Sequence, residues 1–234
     1  MFVLTSTVVR YSDRLDNIDI GWLQSKGCVL WFRGKNEVDF PILPGGVSAT
    51  PSGTWASPLT LNNNRSLLTF NGTTNVISLT DSNAWMAYNG SLTICGWMRI
   101  ATISSDFHFL QQFDTVSNFW QFYWSSSNGV YLQRYVSGVS NGTWYCGLTP
   151  STDTWYHVAI IKSGTSTPAF YINNSQVSTT VSNAQTNTNQ NISAPLSIHL
   201  TSQAGGNIKD LIMCNTEISM GELTYIYNTS KRYL

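Results

Sequence analysis

From Leu67 onward the chain repeats short runs in which apolar and polar positions alternate. In SLTICGWMRI, residues 91–100, Leu92 and Ile94 alternate with Thr93, Cys95 and Trp97, which is the two-residue period of an extended strand. SLLTF and NVISLT precede it, and FHFLQQF, NFWQFYW, VYLQRYV, WYHVAIIK, AFYINN, LSIHL and IKDLIMCN follow. Turn signals separate these runs, notably Asn71-Gly72, Asn128-Gly129, Asn141-Gly142 and Ser163-Gly164; Asn-Gly between strands is a strong hairpin signal. Many short strands without an intervening helical pattern predict an antiparallel sandwich or barrel. One helix is expected, within ISMGELTYIYNTS (218–230), with Ser219 as its N-cap and Glu222 in its first turn.

The region before Leu67 is patterned differently. GCVLWFRG (27–34) reads as a first strand, and the Pro, Gly and Ser content of FPILPGGVSATPSGTWASP (40–58) reads as a long surface loop. Residues 1–24 show neither period and read as a leader or docking arm, leaving one domain over 25–234. VSTTVSNAQTNTNQNIS (177–193) is uncharged and polar, the pattern of an exposed loop or a weak edge strand.

Charge narrows the partners. Charged residues are 10% of the 234, with 12 basic against 12 acidic, where about 25% is usual. Such a surface has no electrostatic footprint for nucleic acid. No apolar run approaches the roughly 18 residues of a membrane span, and the N-terminus lacks the pattern of a secretory signal. Cys28, Cys95, Cys146 and Cys214 are widely spaced, so they read as lone buried thiols rather than a metal or disulfide framework.

Three stretches, taken in order, resemble the laminin-G-like, concanavalin A-like lectin and glucanase superfamily. LTFNGTTNVISLTDSNAWMAYNGSLTICGWMRI is similar to its opening hairpin and following strand, TWYHVAIIKSGTSTPAFYINNSQV to its Trp-x-His-Val-Ala strand and next hairpin, and GGNIKDLIMCNTEISMGEL to its closing strand. The resemblance implies an all-β, antiparallel two-sheet jelly-roll sandwich. It says little about the ligand.

The superfamily includes glycoside hydrolases, whose retaining members need two carboxyl groups about 5 Å apart, on a Glu-x-Asp-x-Glu strand. Here Glu37 is followed two positions on by Asp39 but then by Pro41, and Glu217 and Glu222 each lack an acidic residue two positions away, so the full motif is absent and no catalysis is expected. His157, between Trp155 and Ala159 on a strand face, reads as a half-buried structural residue with a hydrogen-bonded ring. Many relatives hold calcium, but Asn71 and Asn75 stand where these often have aspartates, and Asp81 is the nearest carboxylate. A calcium site on Asp81 with amide and backbone oxygens is the one cofactor the resemblance leaves open. Asp210 matches the closing-strand aspartate, which serves either a cation or turn hydrogen bonds.

Residues 117–147 are the richest candidate surface. Alternation sets Trp120, Phe122 and Trp124 opposite Phe119, Gln121 and Tyr123, and groups Tyr131, Gln133 and Tyr135 on the returning strand. One aromatic row should enter the core and the other line a groove; alternation leaves open which. The candidate glycan-binding set is therefore Trp120, Tyr123, Trp124, Tyr131, Gln133, Arg134 and Tyr135. Aromatic faces stack on sugar rings while amides and guanidinium meet hydroxyls.

Together these features predict a non-enzymatic protein of a virion surface, decorating capsid or tail. Residues 1–24 would join it to other virion proteins in an oligomeric assembly, and the sandwich would offer weak adhesion to host-surface glycan. A secreted or cell-surface lectin-like adhesion module is the alternative, and a polysaccharide-acting enzyme is the third.

Overall fold

A computed structural model of the protein describes residues 18–35, 39–53, 55, 59–61, 65–81, 90–186, 192–199, 203–232 and 234. In chain order the elements are α1 (Ile20–Ser25), β1 (Cys28–Phe32), β2 (Ala49–Ser52), β3 (Leu59–Leu61), β4 (Arg65–Leu67), β5 (Thr69–Phe70), β6 (Val76–Leu79), β7 (Leu92–Ile100) and β8 (Phe107–Thr115). They continue with β9 (Asn118–Ser125), β10 (Gly129–Val136), β11 (Val139–Cys146), β12 (Trp155–Lys162), β13 (Ala169–Ile172), β14 (Ser175–Val177), β15 (Thr180–Asn183), β16 (Leu196–Ile198), β17 (Gly206–Cys214) and α2 (Met220–Lys231). Among the described residues a seven-stranded sheet runs β1-β17-β7-β12-β13-β14, with β5 also on β17. An eight-stranded sheet runs β15-β11-β10-β9-β8-β16-β6-β2, and β3 and β4 pair separately. The pairs are antiparallel, and the two sheets form the expected jelly-roll sandwich.

The main core lies between the sheets. Phe70, Ile94, Met98, Phe109, Trp120, Phe122, Trp124, Leu132, Trp144, Ile160 and Phe170 are among its buried members. A second cluster covers the outer face of the seven-stranded sheet, where Trp31, Cys95, Ala159 and Ile212 meet Leu23 of α1 and Leu223 and Ile226 of α2. This double coverage explains why all nine residues of β17 are buried: one face packs into the sandwich and the other lies beneath the helices.

The two helices arise differently. α2 has the Ser219 and Glu222 capping box that the sequence spacing predicts. α1 is only six residues long; Asp19 caps it by accepting from the Trp22 N–H at 2.6 Å, and Leu23 is buried beneath it. Tertiary burial rather than periodicity therefore supplies its stability. Ile18 and Leu23, at 1% and 0% exposed, pack the last part of the expected leader onto the sandwich. Residues 1–17 lie outside the described residues.

Two polar stretches also become strands. β2, inside the expected surface loop, pairs with β6 as an edge strand that accommodates Pro51. β15 occupies the opposite edge with all four residues exposed, the edge-strand form of the polar segment. Residues 187–191 of that segment lie outside the described residues.

The seven-stranded sheet carries a buried polar cluster under α2. β17 bulges between Lys209 and Ile212, with Asp210 at φ 48°. Asp210 pairs with Lys209 and accepts from the Trp31 indole at 3.2 Å, while Lys209 donates to the Ser230 carbonyl at 3.0 Å. Trp97 donates to the Ser230 hydroxyl at 2.8 Å. The Asp210 carboxylate is thus engaged by the Lys209 ammonium and the Trp31 indole. His157 corrects its expectation: it is 0% exposed, between Trp97 and Tyr227, and neither ring nitrogen has a hydrogen-bond partner among the described residues. Burial, with the Lys209 charge adding to it, pushes its pKa down to about 3, so the ring is neutral.

Candidate functional site

The eight-stranded sheet divides the sequence-derived set by face. Trp120 and Trp124, each 2% exposed, and Arg134, 1% exposed, point inward. They do not belong to a ligand surface, because their side chains fill the sandwich. The Trp120 indole donates to Gln112 Oε1 at 2.8 Å and the Trp124 indole to the Leu148 carbonyl at 3.0 Å. Tyr123, Tyr131, Gln133 and Tyr135 take the opposite, outward side.

These outward residues belong to longer rows, one residue per strand. His108, Tyr123, Tyr131 and Tyr145 stack successively at 4.9, 5.2 and 4.8 Å between ring centroids, with interplanar angles of 12°, 22° and 18°. These distances match the spacing of adjacent strands. Phe113, Phe119 and Tyr135 make a second stack at 5.7 and 4.9 Å. Between the stacks lies a polar row, Ser78, Ser197, Gln111, Gln121, Gln133 and Thr143, in continuous register from β6 to β11. Gln121 Nε2 donates to Gln133 Oε1 at 2.8 Å. At the β6 end the surface opens into a depression of about 430 Å³ lined by Ser78, Gln111, Phe113, Pro195 and Ser197.

These rows contain no carboxylate and no cation. Burial pushes the His108 pKa down to about 4 despite the nearby Asp106, and it raises the phenols of Tyr123 and Tyr131. At neutral pH the rows are therefore uncharged: His108, Tyr123, Gln111 and Thr143 are largely covered, and Gln121, Tyr131, Gln133, Tyr135 and Tyr145 are the partly exposed phenols and amides among them. Such a surface suits an uncharged, hydroxyl-rich ligand.

Alternation alone reaches Gln121, and Tyr145 follows from the next hairpin. Ser78 and Ser197 carry no local signal, because β16 reaches its place between β6 and β8 only through long-range pairing.

Among the described residues, the oxygens expected to hold calcium are already engaged in other contacts. Asn71 Oδ1 accepts the backbone N–H groups of Thr73, Thr74 and Asn75 at 2.9, 3.0 and 3.1 Å, and Asn75 Oδ1 accepts that of Asn71 at 2.9 Å. Asp81 accepts from the Ser193 hydroxyl at 2.8 Å and faces the Gln112 amide nitrogen at 3.5 Å. That amide's orientation is fixed, since its nitrogen also donates to the Ile192 and Ala194 carbonyls while its oxygen accepts from Trp120. Oxygens surrounded by N–H and O–H donors do not form a calcium cage, which needs six to eight oxygen ligands.

A comparison with curated protein sequences finds no match. Among solved structures, a receptor binding domain aligns with a TM-score of 0.68 at 14% identity, covering 89% of this chain and 53% of its own. The botulinum neurotoxin serotype C1 binding domain aligns at 0.67 and 12%, covering 87% and 52%. A structure of botulinum neurotoxin type C, whose cell entry depends on two ganglioside molecules, aligns at 0.68 and 13%, covering 91% and 53%. This chain spans about half the length of each, and at such identities the likeness concerns the fold alone. A family model matches residues 71–223, about two thirds of the sequence, and with the two-sheet architecture this places the chain in the concanavalin A-like lectin/glucanases superfamily.

Proposed function

We propose that this protein is a non-enzymatic glycan-binding module whose binding face is the outer surface of the eight-stranded sheet. The polar row between two aromatic stacks carries the reading: the stacks offer planes to sugar C–H faces, and the amides and hydroxyls between them meet sugar hydroxyls. Because the rows lack formal charge, uncharged oligosaccharides are the preferred class. The lectin-like fold and the ganglioside-dependent neighbour support binding over catalysis.

A glycan array of neutral and acidic oligosaccharides, followed by titration calorimetry, tests this. Neutral glycans should be retained, and Gln133→Ala should weaken them. Silence across the array, or binding indifferent to every substitution in the three rows, would refute the proposal.

The setting we propose is a virion surface, with residues 1–17 joining the domain to other virion proteins in an assembly. The low charge and polar exterior support it. Mass spectrometry of purified particles should find the peptide LDNIDIGWLQSK, and deleting residues 1–17 should reduce incorporation. Recovery only from cleared medium would favour the secreted adhesion module.

A further inference from the structure

The four cysteines are not equivalent. Cys146 lies in the core between the sheets, whereas Cys28, Cys95 and Cys214 converge in the cluster on the outer face of the seven-stranded sheet. Cys28 of β1 and Cys214 of β17 are partners in the antiparallel register, beside a bulge between Cys28 and Leu30. Opposed residues project to the same side of a sheet, and both side chains belong to the cluster beneath the helices. The Cys28 thiol donates to the Leu30 carbonyl at 3.2 Å, and the nearness of Cys28, with burial, raises the Cys214 pKa. Cys95 sits one strand further in, where it faces Ile212 while Cys214 faces Thr93, so it is the diagonal neighbour of Cys214.

We propose that Cys28 and Cys214 are an oxidation site that forms a cross-strand disulfide between the first and last strands. Directly opposed antiparallel residues have Cα atoms about 4.5–5.5 Å apart, within the roughly 4.4–6.8 Å that a disulfide spans. The more distant diagonal is unfavourable for Cys95. β1 is the terminal strand of its sheet, bridged on its outer side by Trp31 to Ile42, and oxidant access comes through local opening of this end of the sheet. Cys28, 7% exposed against 0% for Cys214, is then the first thiol to react.

With glutathione disulfide as oxidant, the Cys28 thiolate attacks one sulfur to give a mixed disulfide and releases one glutathione thiolate. The Cys214 thiolate displaces the second glutathione. The protein loses two protons and two electrons as one S–S bond forms, and the oxidant becomes two glutathiones. The product ties residue 28 to residue 214 across nearly the whole chain, the long-loop case in which the denatured state is most constrained.

Purified protein incubated with glutathione disulfide in sub-denaturing urea, then alkylated and digested, tests the site. The expected result is an intact mass lower by about 2 Da, a single Cys28–Cys214 peptide, and a melting temperature about 5–15 °C above the reduced form. Cys28→Ser and Cys214→Ala should each abolish the crosslink, whereas Cys95→Ser should leave it intact; circular dichroism confirms that each variant is folded. A crosslink through Cys95 or Cys146, glutathione adducts without an internal bridge, or four free thiols after β1 has exchanged its amide protons would overturn the proposal.

Discussion

Single buried polar residues make the sharpest predictions. Gln112, 2% exposed, accepts from the Trp120 indole and donates to the Ile192 and Ala194 carbonyls. Gln112→Leu leaves one buried donor and two carbonyls unsatisfied, and should cost about 3 kcal/mol by urea denaturation. The three histidines act through pH. His108 falls to about 4, and His157 and His199 fall to about 3, chiefly through burial. All lie below the unfolded value near 6.5, so the unfolded chain binds more protons in acid. Their stabilising contribution is complete above pH 6.5 and is lost as pH falls toward 4. By pH 4.5 each histidine should remove about 2–3 kcal/mol. The urea midpoint should drop across this interval, and His157→Leu should make the drop shallower by about one proton's worth of slope. An unchanged slope would show that His157 takes up its proton in the folded state as readily as in the unfolded one.

At the scale of elements, legibility follows from where the stabilising interaction lies. α2 is readable because its capping box joins residues three apart, Ser219 and Glu222. Ser219→Ala should therefore cost about 1 kcal/mol, and thermal unfolding of the variant measures this directly. α1 is not readable, since its support comes from Leu23 buried against distant residues. β2 is equally obscure: Ala49, Thr50, Pro51 and Ser52 have weak strand propensity and are extended by pairing with β6. The β9–β10 hairpin is marked by Asn128-Gly129, and Gly129 is required there. Its φ is +120°, and an added Cβ would lie 2.1 Å from the Cys146 carbonyl oxygen. Gly129→Ala should force β10 and β11 apart, costing upwards of about 2 kcal/mol, with accelerated amide exchange confined to these strands.

Across the whole molecule, the face assignment of the candidate residues becomes a division of labour. The two-residue period already separates Trp120, Phe122 and Trp124 from Phe119, Gln121 and Tyr123. Which side faces solvent depends on where the second sheet packs, and that is a property of the assembled sandwich. The inward row meets the β7 and β12 side, as the shared cluster containing Ile94, Met98 and Ile160 shows. Substitutions in the two rows should therefore fail differently. Trp120→Ala and Trp124→Ala empty large volumes between the sheets and should each cost about 3–5 kcal/mol, losing sugar binding only as the domain unfolds. Tyr131→Ala removes one ring from an outward stack between Tyr123 and Tyr145, so unfolding should shift by less than about 1 kcal/mol. Its neutral-glycan affinity should still fall about 3- to 10-fold, as expected for one lost aromatic contact. Measuring stability and affinity on the same three variants separates the roles. If Tyr131→Ala unfolds as readily as Trp120→Ala, the outward stack is structural; if affinity survives in a folded Tyr131→Ala protein, the sugar lies elsewhere on the molecule.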